Sequence, residues 1–338
     1  LKCFKAVIPA AGLGTRLLPV TKEQPKEMLP IFSRSIDGKM CVKPFLQVVF
    51  EKLYDSGSRD FCFVVGRGKR SIEDHFTLDS NFLYQLAAVN KIEPLNELSR
   101  FYGKVNNSDI VFINQPNARG FGDAVFRARG FTGKDPFIVH AGDDLIVSTK
   151  NQYVRRLVDT FLTNDAEAVF FVERVKHPQN YGVIEGIKVS KNLHRVVNIE
   201  EKPRFPKSNL AIIAIYVFSP LIYEAINCIN PSGNEIQLTD AIHYLIDQGY
   251  PVYGLELKRG EKRVDIGTPQ SYWNVLKNMQ KTVSRSSIKS ITEKELVDFQ
   301  FNCPISSDRV EAHGTCTMCP KLKKTNKEKI KIKKTFTS

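Results

Sequence analysis

At 338 residues, 42% of them hydrophobic and 25% charged, the chain can bury one large core or two modest ones, and its composition excludes disorder over most of its length. Its longest apolar runs, such as residues 211–218, fall far short of a membrane span, so integral membrane association is not expected, and an opening strand followed by Arg16 does not read as a signal peptide. The formal net charge of +13 invites a nucleic-acid reading, but residues 321–338 hold eight lysines and one glutamate; that tail carries +7 and leaves +6 elsewhere, which suits polyanionic small molecules without requiring DNA.

Residues 6–8 are a short apolar run that reads as a buried strand, ended by Pro9 and a small-residue loop containing Gly12 and Gly14. Residues 36–42 are irregular and polar. Residues 43–56 have helical spacing at Phe45, Val48, Val49 and Leu53, closed by Gly57. A buried strand at 61–65 runs into Gly66-Arg67-Gly68-Lys69-Arg70, a turn that either starts a helix, its commoner task, or makes a second phosphate site. Residues 83–98 read as largely helical with a break near Pro94, 110–114 as a strand, and 137–140 as a strand ending in Ala141-Gly142-Asp143-Asp144. This alternation predicts an α/β fold with a Rossmann-like mixed, mainly parallel sheet covered by helices, with ligands beyond the carboxyl ends of its strands. From Ala168 strands follow in quick succession at 169–173, 183–189, 196–199 and 212–218, a smaller β portion suited to a second substrate. Helices at 220–229 and 237–248, a strand at 252–256, and Arg263-Val264-Asp265-Ile266-Gly267-Thr268-Pro269 opening a helix to about 281 complete the body.

The loop after the first strand carries the chemistry. Glycines there let backbone amides approach a bound group, and successive amides make an anion-binding nest for which phosphate is the natural guest. Arg16 adds a rigid fork for phosphate oxygens, and Lys22 and Lys26 add mobile charges. Neither common phosphate fingerprint fits: Leu17 stands where the dinucleotide pattern needs a small residue, and no Gly-Lys-Ser/Thr follows. Asp143 and Asp265, at strand ends, could hold a hard cation together with substrate oxygens; taken singly, each is more simply a cap or turn residue.

The string Gly12-Leu13-Gly14-Thr15-Arg16-Leu17-Leu18-Pro19, then Thr21-Lys22, then Pro25-Lys26-Glu27-Met28-Leu29-Pro30 closely resembles the opening of sugar-1-phosphate nucleotidylyltransferases. It is most similar to the bacterial and archaeal UTP–glucose-1-phosphate uridylyltransferase branch, in which Lys-Glu-Met-Leu-Pro replaces the Lys-Gln-Leu-Leu-Pro usual in thymidylyl relatives. The resemblance implies a nucleotide-diphospho-sugar transferase fold and transfer of uridylyl from UTP to glucose 1-phosphate, with Mg2+ on Asp143 and Asp265. Asp144, adjacent to Asp143, is the alternative ligand. The resemblance further implies nucleotide contacts from Ala11, Gly12, Gly14, Thr15, Glu27, Gln115 and Gly120, with Gln115 reading uracil through an amide that can both donate and accept. Phe121 departs from the small residues usual beside Gly120. Arg16, Lys26 and Lys202 would be the catalytic cations. On the sugar side, Asn180-Tyr181-Gly182-Val183 matches a turn that approaches glucose by its backbone, Gly182 in particular, and Glu201-Lys202-Pro203 matches the family's Glu-Lys-Pro, Glu201 binding sugar hydroxyls and Lys202 the phosphate. The octet from Glu235 to Ile242 also matches and reads as architectural. The nearer rival is the same chemistry with dTTP or another sugar phosphate; the more distant one is a regulatory or nucleic-acid-binding protein on the same fold.

The resemblance spans about residues 5–281, so 1–284 are expected to form the catalytic domain and 285–338 a Cys-containing, Lys-rich extension. That extension reads either as a disordered solubilising end or as an attachment to polyanions. Within it Cys303, His313, Cys316 and Cys319 could form a zinc site or a coincidental or redox pair. Seven scattered cysteines make no disulfide framework, which makes the cytoplasm the default location. A homo-oligomer, dimer or tetramer, is a further implication of the resemblance.

Overall fold

The computed structural model describes residues 4–148, 152–231 and 233–285. β1 (Lys5–Pro9) pairs on both sides and is buried from Ala6 onward on both faces of the sheet, which is why residues 6–9 are apolar rather than alternating. A ribbon follows, β2 (Pro30–Arg34) antiparallel to β3 (Met40–Pro44), covering part of the stretch expected to be irregular. Its turn is closed by Ser35 and Gly38, the glycine at φ 74, and these signals are too short to stand out in a polar segment. α1 (Phe45–Asp55) buries Phe45, Leu46, Val49, Phe50 and Leu53.

β4 (Asp60–Val65) and α2 (Arg70–His75) come next, then α3 (Ser80–Ala88), α4 (Ile92–Asn106) and β5 (Asp109–Asn114). The helix break expected near Pro94 lies earlier, at residues 89–91, where Asn90 takes φ 56. Pro94 falls in the first turn of α4, where its missing N–H would have had no helical partner. Ser80–Leu95 separates from the rest of the described chain as part of a second unit; everything below concerns the first, which holds the described residues up to Asp79 and from Asn96 on.

α5 (Phe121–Arg127), α6 (Arg129–Thr132), β6 (Phe137–His140), β7 (Asp144–Val147) and α7 (Tyr153–Thr163) lead to β8 (Ala168–Arg174), β9 (Gly182–Ser190), β10 (Leu193–Glu201) and β11 (Leu210–Phe218). α8 (Leu221–Cys228), α9 (Leu238–Asp247), β12 (Val252–Glu256), β13 (Lys262–Asp265) and α10 (Pro269–Arg285) finish the described chain.

The main sheet has nine strands in the order β5-β4-β1-β6-β11-β8-β12-β10-β9, and β13 pairs with β7 apart from it. The expected mainly parallel arrangement holds for β5-β4-β1-β6 and for the β8–β12 pair. Elsewhere the sheet is antiparallel, because β11 runs against both β6 and β8, and β10 runs against β12 and β9. Helical crossovers return the first half of the chain to the same sheet end, whereas the two-residue turn between β9 and β10 reverses direction. One face packs Phe50, Phe61, Phe63, Phe76 and Phe101 edge to face or tilted; the other packs Phe137, Phe170, Tyr216, Phe218 and Tyr223 beneath α8 and α9. Among the described residues no helix is long and apolar enough to cross a membrane.

His140, at the end of β6, is 0% exposed and sits between Tyr153 Oη at 3.1 Å and the Ala141 carbonyl. Burial pushes its imidazole down to about 4 from an ordinary 6.5, so the folded chain refuses a proton that the unfolded chain accepts. Its stabilising contribution is therefore complete above pH 6.5 and is lost as pH falls toward 4, by up to about 3 kcal/mol. Urea unfolding across that window should show the decline, to which His75, also pushed down to about 4 by burial, adds a share of its own, and His140→Gln should make it shallower; an equal slope in both proteins would contradict the assignment.

Candidate active site

The β1 strand hands directly to the glycine loop. Ala10 N–H still bonds to Val64 O, after which Gly14 turns left-handed at φ 66 and its carbonyl accepts from Leu17 N–H and Thr21 Oγ1, the latter at 2.8 Å. Gly12, Thr15 and Arg16 face solvent while Ala11 is buried, and a Cβ on Gly66 would stand 3.2 Å from Ala11 O, so the turn after β4 packs against this loop. Lys26 passes close behind it: its Nζ is 3.7 Å from where a Cβ on Gly12 would lie.

Lys26 Nζ donates to Asp143 Oδ2 at 2.5 Å. Burial works to lower the Lys26 ammonium, but the carboxylates of Asp143 and Glu27 outweigh it and hold the pKa above the ordinary value. For Asp143 burial works upward, and the charge and hydrogen bond of Lys26 overcome it, leaving the carboxyl below the usual range. The backbone aims Asp143 here through two contacts. Gly142 N–H bonds to Pro9 O, and a register irregularity in β11 between Ile213 and Tyr216 turns the Ala214 carbonyl toward Ala141 N–H. Asp265 arrives on β13, where Ile266 N–H bonds to Asp143 O and Asp265 Oδ1 accepts from Gly267 N–H. Arg16 Nη1 lies 3.9 Å from where a Cβ on Gly267 would stand, so the loop after β1 and the turn after β13 approach one another.

Asp144 is differently employed. Both of its oxygens are taken by Arg263, at 2.7 and 2.8 Å, and it opens β7 opposite Asp265. The fork leaves Asp143, not Asp144, as the carboxylate facing the loop. Arg263 also reaches Glu173 and lies over the Tyr181 ring at 5.4 Å, which joins the aspartates to the turn before β9. Burial works against its charge, and Asp144 more than restores it, raising the pKa.

At that turn Gly182 has no room for a side chain: a Cβ would meet Thr239 Cγ2 at 2.9 Å and Glu201 Oε2 at 3.1 Å. Thr239 Oγ1 donates to Glu201 Oε2, Lys202 Nζ lies 3.3 Å from Glu201 Oε1, and Lys202 N–H bonds to Tyr181 O. Lys202 is exposed and has φ 46, a left-handed conformation uncommon for a residue with a side chain.

Gln115 follows β5. Its Nε2 donates to Gly120 O at 3.1 Å and to Asp123 Oδ2 at 2.8 Å, so the donor half of its amide is already spent within the protein. Gly120 takes φ 94, and the Glu235–Ile236 segment lies across the loop: Gly122 N–H bonds to Ile236 O, and Ile236 N–H to Arg119 O. Phe121 is half-buried and packs against the core at the Tyr216 ring.

Glu27, expected on the nucleoside side, is only 1% exposed, and its Oε2 accepts from Lys69 at 2.9 Å. Burial pushes its carboxyl up against the pull of Lys69 and Lys26. Lys69 comes from the second glycine-and-basic turn, which starts α2 as the commoner reading has it, yet also sends this lysine inward.

Residues 5–282 match the profile of the Nucleotidyl transferase family. The chain belongs to that family. A Streptococcus pyogenes member, UTP–glucose-1-phosphate uridylyltransferase 2, is 41% identical over 278 residues, 79% of this chain and 86% of the relative. Among solved nucleotidyl transferase structures, a UDP-glucose pyrophosphorylase complexed with UDP-glucose superposes with a TM-score of 0.71 at 29% identity, covering 83% of this chain and 99% of the other. A UTP-bound enzyme from Acinetobacter baumannii gives 0.71 at 27% identity over 82% and 93%. The architecture is therefore that of the mixed α/β nucleotidyl transferases.

Three residues of the site escape sequence reasoning. Lys69 is visible only as part of a basic turn and Arg263 only as a neighbour of Asp265, because their partners are far away in the chain; Asp123 carries no signal although Gln115 stands only eight residues before it, because nothing in the sequence shows that the two side chains turn toward each other. Among the described residues no group of three or more His, Cys, Asp or Glu side chains is arranged to hold a metal by itself. Cys303, His313, Cys316 and Cys319 lie outside the described residues.

Because both members of the Glu27–Lys69 pair are nearly dry, removing one leaves a buried charge. Lys69→Met should lower stability by about 3 kcal/mol in urea unfolding, and adding Glu27→Gln should recover most of it. Additive losses in the double variant would show that the two side chains do not act as a pair.

Proposed function

We propose that this chain transfers the uridylyl group of UTP to glucose 1-phosphate, giving UDP-glucose and pyrophosphate. The observation that carries the reading is the meeting of Lys26 with Asp143, an ammonium and a metal-capable carboxylate behind the glycine loop, while Arg263 ties the adjoining Asp144 to Tyr181, the residue before Gly182. The names of the relatives support the choice of base and sugar.

An oxygen of the glucose 1-phosphate phosphate attacks the α-phosphorus of UTP in line; that P–O bond forms as the bond to the β,γ-diphosphate breaks, and pyrophosphate leaves with the electron pair. No covalent enzyme intermediate is needed, so the residues act by position and charge. The amides from Ala11 to Thr15 and the Arg16 guanidinium bind the β- and γ-phosphates and the departing pyrophosphate. Lys26 neutralises charge on the α-phosphate. Lys202, held forward by its left-handed backbone, grips the phosphate of the acceptor while Glu201 accepts from sugar hydroxyls beside the Gly182 backbone. Gln115 and Gly120 take the base.

Asp143 and Asp265 fit Mg2+: they offer hard oxygen donors on neighbouring segments, and two carboxylates leave the rest of an octahedron to phosphate oxygens and water. When bound there, the ion would supply Lewis-acid neutralisation of the phosphates.

Pyrophosphate release on mixing protein, UTP, glucose 1-phosphate and Mg2+, with dTTP and other sugar phosphates run in parallel, tests the assignment. Asp143→Asn or Asp265→Asn should abolish most Mg2+-dependent turnover, the first also lowering the melting temperature because it leaves Lys26 without its partner; near-normal turnover at limiting Mg2+ would remove that residue from the metal site. Lys26→Ala and Lys202→Ala should part company. The first should lower kcat by roughly 10²–10³, as loss of one preorganised donor does, and the second should chiefly raise KM for glucose 1-phosphate. A shared kinetic signature would refute the separate roles.

A further inference from the structure

The amide of Gln115 is locked in one orientation by a carboxylate that the reaction scheme leaves unused. Asp123 Oδ2 and Gly120 O both accept from Gln115 Nε2. Both are acceptors only, so the nitrogen end must face them; turning the amide over would set oxygen against oxygen twice. With its two N–H groups committed, Gln115 has only the Oε1 end to offer a ligand.

The lock is rigid. Gln115 is 5% exposed and Asp123 is 3% exposed, and the second oxygen of Asp123 faces Arg127 Nη2 at 3.5 Å. Asp123 cannot withdraw with its backbone, because Gly122 N–H bonds to Ile236 O and a Cβ on Gly122 would stand only 2.6 Å from that oxygen. The strut above the loop therefore fixes Asp123, and Asp123 fixes the polarity of Gln115.

We propose that Asp123 is a positioning residue that sets base selectivity by holding Gln115 as a hydrogen-bond acceptor. Such an acceptor suits a pyrimidine whose N3 carries a hydrogen, uracil or thymine, and opposes cytosine, whose N3 presents a lone pair in the same place. The device is blind to a 5-methyl group, so discrimination between UTP and dTTP must come from other contacts. The inference rests on the reading of Gln115 as the base contact.

Asp123→Asn tests it, since an asparagine that turns its own amide donates to Gln115 Oε1 instead of accepting from Nε2, which leaves the Gly120 carbonyl as the one remaining hold on the Gln115 NH2 and lets it turn toward the ligand. The ratio of kcat/KM for CTP to that for UTP, read by pyrophosphate release, should rise about tenfold or more, the scale set by one unpaired polar group; CTP should also compete better against UTP. Arg127→Met, which keeps the Asp123 acceptor, should leave the ratio at its wild-type value. Should Asp123→Asn not fold, Asp123→Ser, whose side chain is too short to hold the amide, takes its place with the same expectation. Gln115→Leu separates the two layers of the argument. If it leaves KM for UTP unchanged, the base-reading role of Gln115 falls and this inference falls with it; if it weakens UTP but the Asp123 variants keep the wild-type CTP to UTP ratio, the inference alone is overturned.

Discussion

The contact between Lys26 and Asp143 is the constraint around which the site is built. Each partner alone would be an ill-solvated charge in a partly closed crevice, and each is tolerable there because the other is present. The pair can form only if two chain segments more than a hundred residues apart are delivered to one point, and both deliveries are made by backbone hydrogen bonds. Pro9 and Ala214 hold the Ala141–Gly142 peptide units from opposite sides, so the irregularity in β11 serves the aspartate and not the sheet. Behind Lys26, the Glu27–Lys69 pair ties the same turn to the segment after β4.

Under the proposed function, the two halves of the sheet divide the ligand contacts between them. Its parallel half ends in the glycine loop, Gln115 and the β6 terminus, where strand ends gather and backbone amides point outward, as expected for phosphate and base. The antiparallel half contributes a long hairpin, β9 with β10, whose ends carry Gly182 at one strand start and Glu201 at the other strand finish, directly paired in register. Arg263 bridges the halves, with its fork on Asp144 and its face over Tyr181.

Much of this is legible in the sequence. The buried strands at 61–65 and 137–140, the helix closed by Gly57 and the strand at 252–256 follow from apolar runs bounded by turn residues, and they stand within a residue or two of those positions. Period alone cannot assign strand direction, which is why the parallel character was overextended: β11 reads as any other apolar strand, and only its partners make it antiparallel. Glu27 shows the same limit at the level of a side chain. A carboxylate in a phosphate-binding stretch reads as exposed and available, yet here it points inward, because a lysine from a distant turn makes burial tolerable. The ribbon of β7 and β13 has four residues a side, too few for a sequence pattern, though it delivers both Asp144 and Asp265.

The segment entering α9 has a double attachment. Ile236 exchanges backbone hydrogen bonds with the Arg119–Gly122 loop, and three residues later Thr239 donates to Glu201 while pressing against Gly182. One short stretch, residues 236–239, thus braces both the Arg119–Gly122 loop and the Gly182–Glu201 turn. Neither can shift against that stretch without pulling on the other, so under the proposed assignment a change of sugar preference made at the start of α9 would reach the base loop, and one made at the base loop would reach the sugar.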